Sequence, residues 1–195
     1  MPHRILGIDP GSRYTGVALL CEVNGSLKVE LCEVIHLSNE EDHTKRLKMI
    51  YGKLTEIVRH NKPTACAVET PVYGVDPLAM LKLGRAQAAA ILAVSGQEVE
   101  VSEYYPKKVK KAITGNGNAG KTQVAYMLEK ILGIDTSVLK ADATDALAVA
   151  WCHYTHLTTT PDPGNGKKLH QNNRKSSWSA FIAENPDRVK KGDKR

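Results

Sequence analysis

The spacing of apolar and polar positions divides most of the chain into short strands and longer helices. Residues 4–9, "RILGID", form an apolar run that ends on an acid and meets the turn "PGSR". The runs "TGVALLCEV" (15–23) and "SLKVELCEVIHL" (26–37) flank Asn24-Gly25, a dipeptide that favours two-residue hairpin turns. Three strands are therefore predicted, the second and third antiparallel. In "HTKRLKMIYGKLTEIVRHN", Leu47, Ile50, Tyr51, Leu54, Ile57 and Val58 recur at helical spacing and make one apolar stripe. Pro63 follows the end of that helix. "TACAVE" (64–69) predicts a fourth strand, "TPVYGVDP" a loop, residues 78–95 an alanine-rich helix and "EVEVSEY" (98–104) a fifth strand. "PKKVKKAIT" opens with Pro106 at a first helical position, and further helices are predicted over 122–132 and 137–153. The order is βββαβαβ followed by helices. Helix-joined strands imply parallel addition, so the expected class is α/β with a mixed sheet.

From Thr155 the pattern breaks into "THLTTTPDPGNGKK", which places the domain at 1–154 and a linker and tail at 155–195. Within the tail Trp178, Phe181 and Ile182 fall at helix-like spacing, so a short helix near 177–185 is expected. Composition adds that 42% hydrophobic residues suffice for one real core. Cys21, Cys32, Cys66 and Cys152 form no CxxC pair and read as reduced thiols. No apolar run is read as long enough to span a bilayer and no leader is read at the start, so a cytoplasmic location is expected. Net charge is +6, and residues 155–195 hold nine Lys/Arg against four Asp/Glu. Between Glu103 and Glu129 stand five lysines and no acid: Lys107, Lys108, Lys110, Lys111 and Lys121. Such a stripe suits a phosphate backbone, although a solvated helix face gives the same pattern.

The stretch "GNGNAGKT" (115–122) matches the phosphate-binding loop of many ATPases letter for letter. Its context does not. A working loop of that kind follows a buried strand, whereas "KKVKKAIT" is half lysine and follows Pro106. No downstream apolar run ends on a Mg²⁺-holding aspartate. A glycine-rich joint between two helices, presenting Lys121 to an anion, is the reading, with no nucleotide cofactor.

Four acids carry the chemistry. Asp9 and Glu69 each close an apolar strand, where a carboxylate is costly unless a site uses it. If the first and fourth strands are adjacent and parallel, the two emerge at the same end of the sheet. "ADATDALAVAW" adds Asp142 and Asp145, three apart on one helix face and set among alanines, leucine and valine. Each acid alone has an ordinary explanation as a cap or turn former. Together their charge of −4 calls for cations, and two Mg²⁺ ions about 4 Å apart suit oxygen ligands and phosphodiester hydrolysis. There is no HExxH and no G-x-S-x-G.

The stretches "ILGIDPGSRYTG", "AVETPVYG", "MLKLGRAQ", "EYYPKKVKKAITGNGNAGKTQV" and "KADATDALAVA" resemble RuvC, the crossover (Holliday) junction endodeoxyribonuclease family, over residues 4–154. The resemblance implies a ribonuclease H-like fold: a five-stranded mixed sheet with the first three strands antiparallel and helices on both faces. It implies a homodimer that nicks opposed strands of a four-way DNA junction symmetrically, using Mg²⁺ (two per site, with Mn²⁺ as a substitute), in recombination and repair. It assigns the catalytic and metal-binding tetrad to Asp9, Glu69, Asp142 and Asp145. It places basic residues near the scissile phosphate at Lys121 and Lys110, with Lys107, Lys108 and Lys111 as further DNA contacts. It makes 78–95 the dimer helix and RuvA and RuvB the branch-migration partners. Many relatives carry a base-stacking Phe where this chain has Val72, which leaves Tyr73 next door to take the contact. In the implied mechanism one ion is held by Asp9 with Asp142 or Asp145, and the other by Asp9 and Glu69. Three other readings compete: a ribonuclease acting on RNA or a hybrid, a silent junction-binding protein, and an actin-like kinase or ATPase.

Overall fold

The computed structural model describes residues 3–72, 74 and 76–159. The first three strands, β1 (Arg4–Asp9), β2 (Tyr14–Val23) and β3 (Ser26–His36), form an antiparallel meander. Asn24 and Gly25 both take positive φ, 52° and 77°, as a primed hairpin turn requires. Helix α1 (His43–Asn61) leads to β4 (Ala65–Glu69), which pairs parallel to β1. Helix α2 (Pro77–Ser95) leads to β5 (Val101–Tyr104), parallel to β4. The sheet order is β3-β2-β1-β4-β5. Three more helices follow: α3 (Pro106–Thr114), α4 (Lys121–Leu132) and α5 (Ala141–Thr159).

Strand alternation assigns the faces. Leu6, Ile8, Val17, Leu19, Cys66 and Val68 pack with Ile50, Leu54 and Val58 of α1 and Ala86, Ala90 and Ala93 of α2. The opposite face, with Ile5, Ala18, Leu20 and Ala67, is covered by α5 through Ala146, Leu147, Ala148 and Ala150 and flanked by α3 and α4. Two glycines set how closely α5 lies. A Cβ on Gly7 would overlap the Ala146 carbonyl, and one on Gly16 would overlap the Asp142 carbonyl. Asp9 pairs with Gly16 across the ladder, so this close approach brings the start of α5 down beside Asp9.

Two elements differ in their bounds from the sequence reading. β5 begins at Val101 rather than 98, because α2 ends in a tight turn that drives Glu98 to φ 61° and ties its N–H to the Ser95 carbonyl. The last helix begins at Ala141, after a separate 3₁₀ turn (Thr136–Val138) capped by Asp135 and an extended Leu139. It runs to Thr159, beyond the expected His153. The later start moves Asp142 into the first helical turn, where the helix dipole favours a negative charge. The expected tail helix near 177–185 lies outside the described residues. Helix α2, against the expectation, is long and apolar enough to cross a membrane by length and composition. Its buried alanines face the core and Lys82 and Arg85 interrupt it, while Leu78, Leu81 and Leu92 lie exposed. All four cysteines are free.

Candidate active site

The alternation that buries Ile8 and Val68 against α1 and α2 turns Asp9 and Glu69 to the α5 face. Ile8 pairs with Val68 in the parallel ladder, and the next residues along are the two acids, side by side at the ends of neighbouring strands. Asp142 and Asp145 reach the same place from the first turns of α5. Burial and the charges of Asp145 and Asp142 push the Asp9 carboxyl up to about 7 against the pull of Lys121. Burial, then Asp9 and Asp145, push Glu69 to about 7 as well, and Lys121 and Lys110 oppose the shift. The four acids expected from the sequence therefore form one electrostatic unit.

Lys121 is the cation inside it. Its Nζ lies 2.6 Å from Asp145 Oδ2, and that contact raises its pKa. The side chain is nonetheless 72% exposed, so the ammonium remains within reach of an incoming group. Glu69, Lys110, Lys121 and Asp145 line a small cavity of about 130 Å³ floored by Val109, Val124 and Ala148.

The stretch "GNGNAGKT" is a joint between helices, as expected. Gly115 is the left-handed C-cap of α3 at φ 75°, and Gly120 is the N-cap of α4. Lys121 thus opens α4 and projects toward the carboxylates.

Helix geometry splits the lysine stripe. Lys107 and Lys110 line a second cavity, about 510 Å³, with Val72, Tyr105, Pro106, Gly117 and Asn118; it shares Lys110 and Pro106 with the carboxylate cavity. Lys108 and Lys111 lie a further 100° round α3, along a groove with Cys152 and Thr155, and Lys108 stands 4.7 Å over the Tyr104 ring. The structure therefore brings Lys107, Lys110 and Lys121 to the site and leaves Lys108 and Lys111 apart from it. Val72 is exposed at the rim, and Tyr73 lies outside the described residues. Sequence reading passed over Tyr105, which is 63% exposed beside Val72. Its signal was an aromatic held out by the Pro106 that begins α3.

Among the described residues, no three acid, His or Cys side chains stand as a ready-made metal cage. Lys121 holds Asp145, and the remaining like charges repel. The donor set itself fits a hard divalent cation: it is all carboxylate oxygen, and two of its members are raised to about 7 by burial and neighbouring negative charge.

A five-stranded 3-2-1-4-5 sheet with acids at the ends of its central strand β1 and the neighbouring β4, and on the covering helix, defines a ribonuclease H-like nuclease. The fold matches the Thermus thermophilus RuvC solved in complex with a Holliday junction substrate, with TM-score 0.74 and 29% identity over 80% of this chain and 96% of that one. The yeast mitochondrial Holliday junction resolvase shares the fold at TM-score 0.57 and 14% identity, over 80% of this chain and 83% of that one. Residues 5–153 match the family described as crossover junction endodeoxyribonuclease RuvC. Curated relatives of that description are 43% identical in Salinibacter ruber (95% of this chain, 98% of that one) and 42% in Cytophaga hutchinsonii (95% and 88%). The chain belongs to the RuvC family of crossover junction endodeoxyribonucleases.

Proposed function

We propose that this protein resolves four-way DNA junctions by paired, symmetric hydrolytic nicks, as a Mg²⁺-dependent homodimer acting in cytoplasmic recombination and repair. The observation that carries this reading is the carboxylate cluster. Asp9 and Glu69 are held half out of water beside Asp142 and Asp145, an arrangement that costs stability unless a cation enters. Asp9, Glu69, Asp142 and Asp145 would hold Mg²⁺, with Mn²⁺ as a substitute. When bound, the metal supplies a more acidic water and positive charge at the scissile phosphate.

The protein's own groups do the rest. Gly16 and Gly7 fix the height of α5, and therefore the separation of Asp142 and Asp145 from Asp9. Lys121 neutralises Asp145 until phosphate arrives; it then turns to the phosphate oxygens, where charge develops in the transition state. Lys110 and Lys107 hold the backbone beside the site, and Tyr105 and Val72 present the surface for a base next to the crossover. Exposed Leu78, Leu81 and Leu92 on α2 supply the apolar face of the dimer. RuvA and RuvB are the expected partners in branch migration. Residues 155–159 belong to α5, against the expected linker start at 155, and the basic residues of 160–195 are read as adding non-specific DNA affinity.

The test is incubation with a mobile four-way junction in Mg²⁺, beside matched linear duplex and RNA–DNA hybrid. Nicks on opposed strands of the junction, lost in Asp9→Asn, are expected. Cleavage of the hybrid alone would replace the resolvase reading with a ribonuclease on the same fold.

A further inference from the structure

At the end of the sheet where the carboxylates emerge, the strand order lines residues up in a row. Asp9 of β1 and Glu69 of β4 stand at the centre, and the α3–α4 lysines flank them on the β5 side. On the other side Gly16 of β2 and Val34 of β3 stand abreast of Asp9, and two residues further along those strands Tyr14, the first of β2, pairs with His36, the last of β3. Alternation puts both on the same face as Asp9, with His36 two strands across and two residues further along, roughly 12 Å away by strand spacings.

This second flank is a built arrangement of cationic and aromatic groups. Lys140, two residues before Asp142, has its Nζ 2.6 Å from His36 Nε2. The Tyr14 ring meets His36 edge-on, with centroids 5.5 Å apart. The loop that carries Arg13 and Tyr14 is pinned from three sides. Leu37 N–H donates to the Arg13 carbonyl at 2.9 Å, the Arg46 guanidinium to that of Ser12 at 3.2 Å, and the Thr15 hydroxyl to that of Gly11 at 3.1 Å. Arg13, Tyr14, His36 and Lys140 are exposed. His36 and Lys140 line a cavity of about 310 Å³, with exposed Val138 and the acid Glu33 also on its wall. Among the described residues neither Arg13 nor Lys140 forms a salt bridge. Arg13 lies four residues after Asp9 and Lys140 two before Asp142, and both side chains are exposed.

We infer that Arg13, Tyr14, His36 and Lys140 form a second DNA-contact surface that takes the cleaved strand on the β2–β3 side of the carboxylates. Arg13 and Lys140 hold its phosphates and Tyr14 stacks on a base. The strand then crosses the end of the sheet over the carboxylates, gripped on both flanks, so that a phosphate is centred on Asp9. A grip on the α3 side alone leaves the strand free to pivot about Lys110. The inference rests on the junction-nuclease reading above.

Junction binding in metal-free buffer over a salt series tests it without cleavage. Arg13→Gln and Lys140→Gln are each expected to lower the slope of log affinity against log salt by roughly 0.7–0.9, the value for one lost phosphate contact. Tyr14→Ala is expected to weaken binding on the order of tenfold with little change of slope, and Tyr14→Phe to restore it. Lys53→Gln, on α1 and paired with Glu56, serves as the surface control. Arg13 and Lys140 variants indistinguishable from that control, while Lys110→Gln loses affinity, would overturn the second surface and leave the nuclease reading intact. A wild-type chain that shows no preference for junction over duplex would overturn the reading on which both rest.

Discussion

Asp9 and Glu69 titrate near 7 in the folded chain, against 3.8 and 4.5 for the free groups. Between about pH 4 and pH 7 the metal-free folded protein thus holds protons that the unfolded chain has lost. The stability this gives is fully present below about pH 4 and falls away as pH rises through about 7. Asp9→Asn removes a charge that burial and two aspartates disfavour. In metal-free buffer at pH 8 the variant should be more stable than wild type by on the order of 1–3 kcal/mol, and the two should converge near pH 4. Urea unfolding at both pH values measures this, and a variant less stable at pH 8 contradicts the electrostatic account. The same protons compete with metal, so at limiting Mg²⁺ the nicking rate should climb as pH rises toward about 7, and the midpoint should move down as Mg²⁺ is raised. A midpoint that does not move with Mg²⁺ would show that Asp9 and Glu69 are not the groups that exchange protons for metal. These two acids were legible in the sequence because an acid closing an apolar strand breaks its pattern. Lys140 and His36 were not, since the contact between them joins residues far apart in the chain and neither disturbs a local pattern.

Elements fix what residues alone do not. The sequence showed that Asp142 and Asp145 share a helix face; it did not show how high that helix rides over the sheet. Gly7 and Gly16 decide it, and a glycine inside an apolar strand reads only as a weak point, because the helix it admits lies far along the chain. Gly16→Ala should force the first turn of α5 upward. Expected are a stability loss of roughly 1–3 kcal/mol and a fall in nicking much steeper than the fall in junction binding. Thermal unfolding and gel-shift measurements on one preparation separate the two effects. Unchanged nicking would mean that the contact between Gly16 and the Asp142 carbonyl does not set the site. The lysine stripe gives the reverse case. Five lysines without an acid look like one surface in the sequence, but a helical period of 3.6 turns Lys107 and Lys110 to the site and Lys108 and Lys111 away.

At the scale of the molecule, α2 remains open. Its alanines are buried in the core, while Leu78, Leu81 and Leu92 are 60%, 50% and 61% exposed. On the same helix Gly84 has open space where a side chain would stand. A glycine in the middle of a helix costs about 0.8–1 kcal/mol relative to alanine, a loss offset if a second helix packs against it. Leu81→Glu should convert a dimer to a monomer by light scattering and turn paired nicks into independent single nicks. A variant that stays dimeric would move the interface away from α2. The alanine-rich composition was visible in the sequence; which apolar side chains the core leaves uncovered became visible only with α1 and the sheet in place.

The most direct measurement of the central claim uses a supercoiled plasmid that extrudes a cruciform with a randomised core. Two coordinated cuts across the junction within one binding event give a linear product, whereas isolated cuts give a nicked circle that no longer holds the cruciform. With Mg²⁺ the wild-type protein should yield the linear form, Leu81→Glu the nicked circle, and Asp9→Asn neither while still retarding the plasmid. A wild-type protein that yields only nicked circles, or an Asp9→Asn protein that still cuts, would contradict the assignment of paired junction cleavage to this carboxylate site.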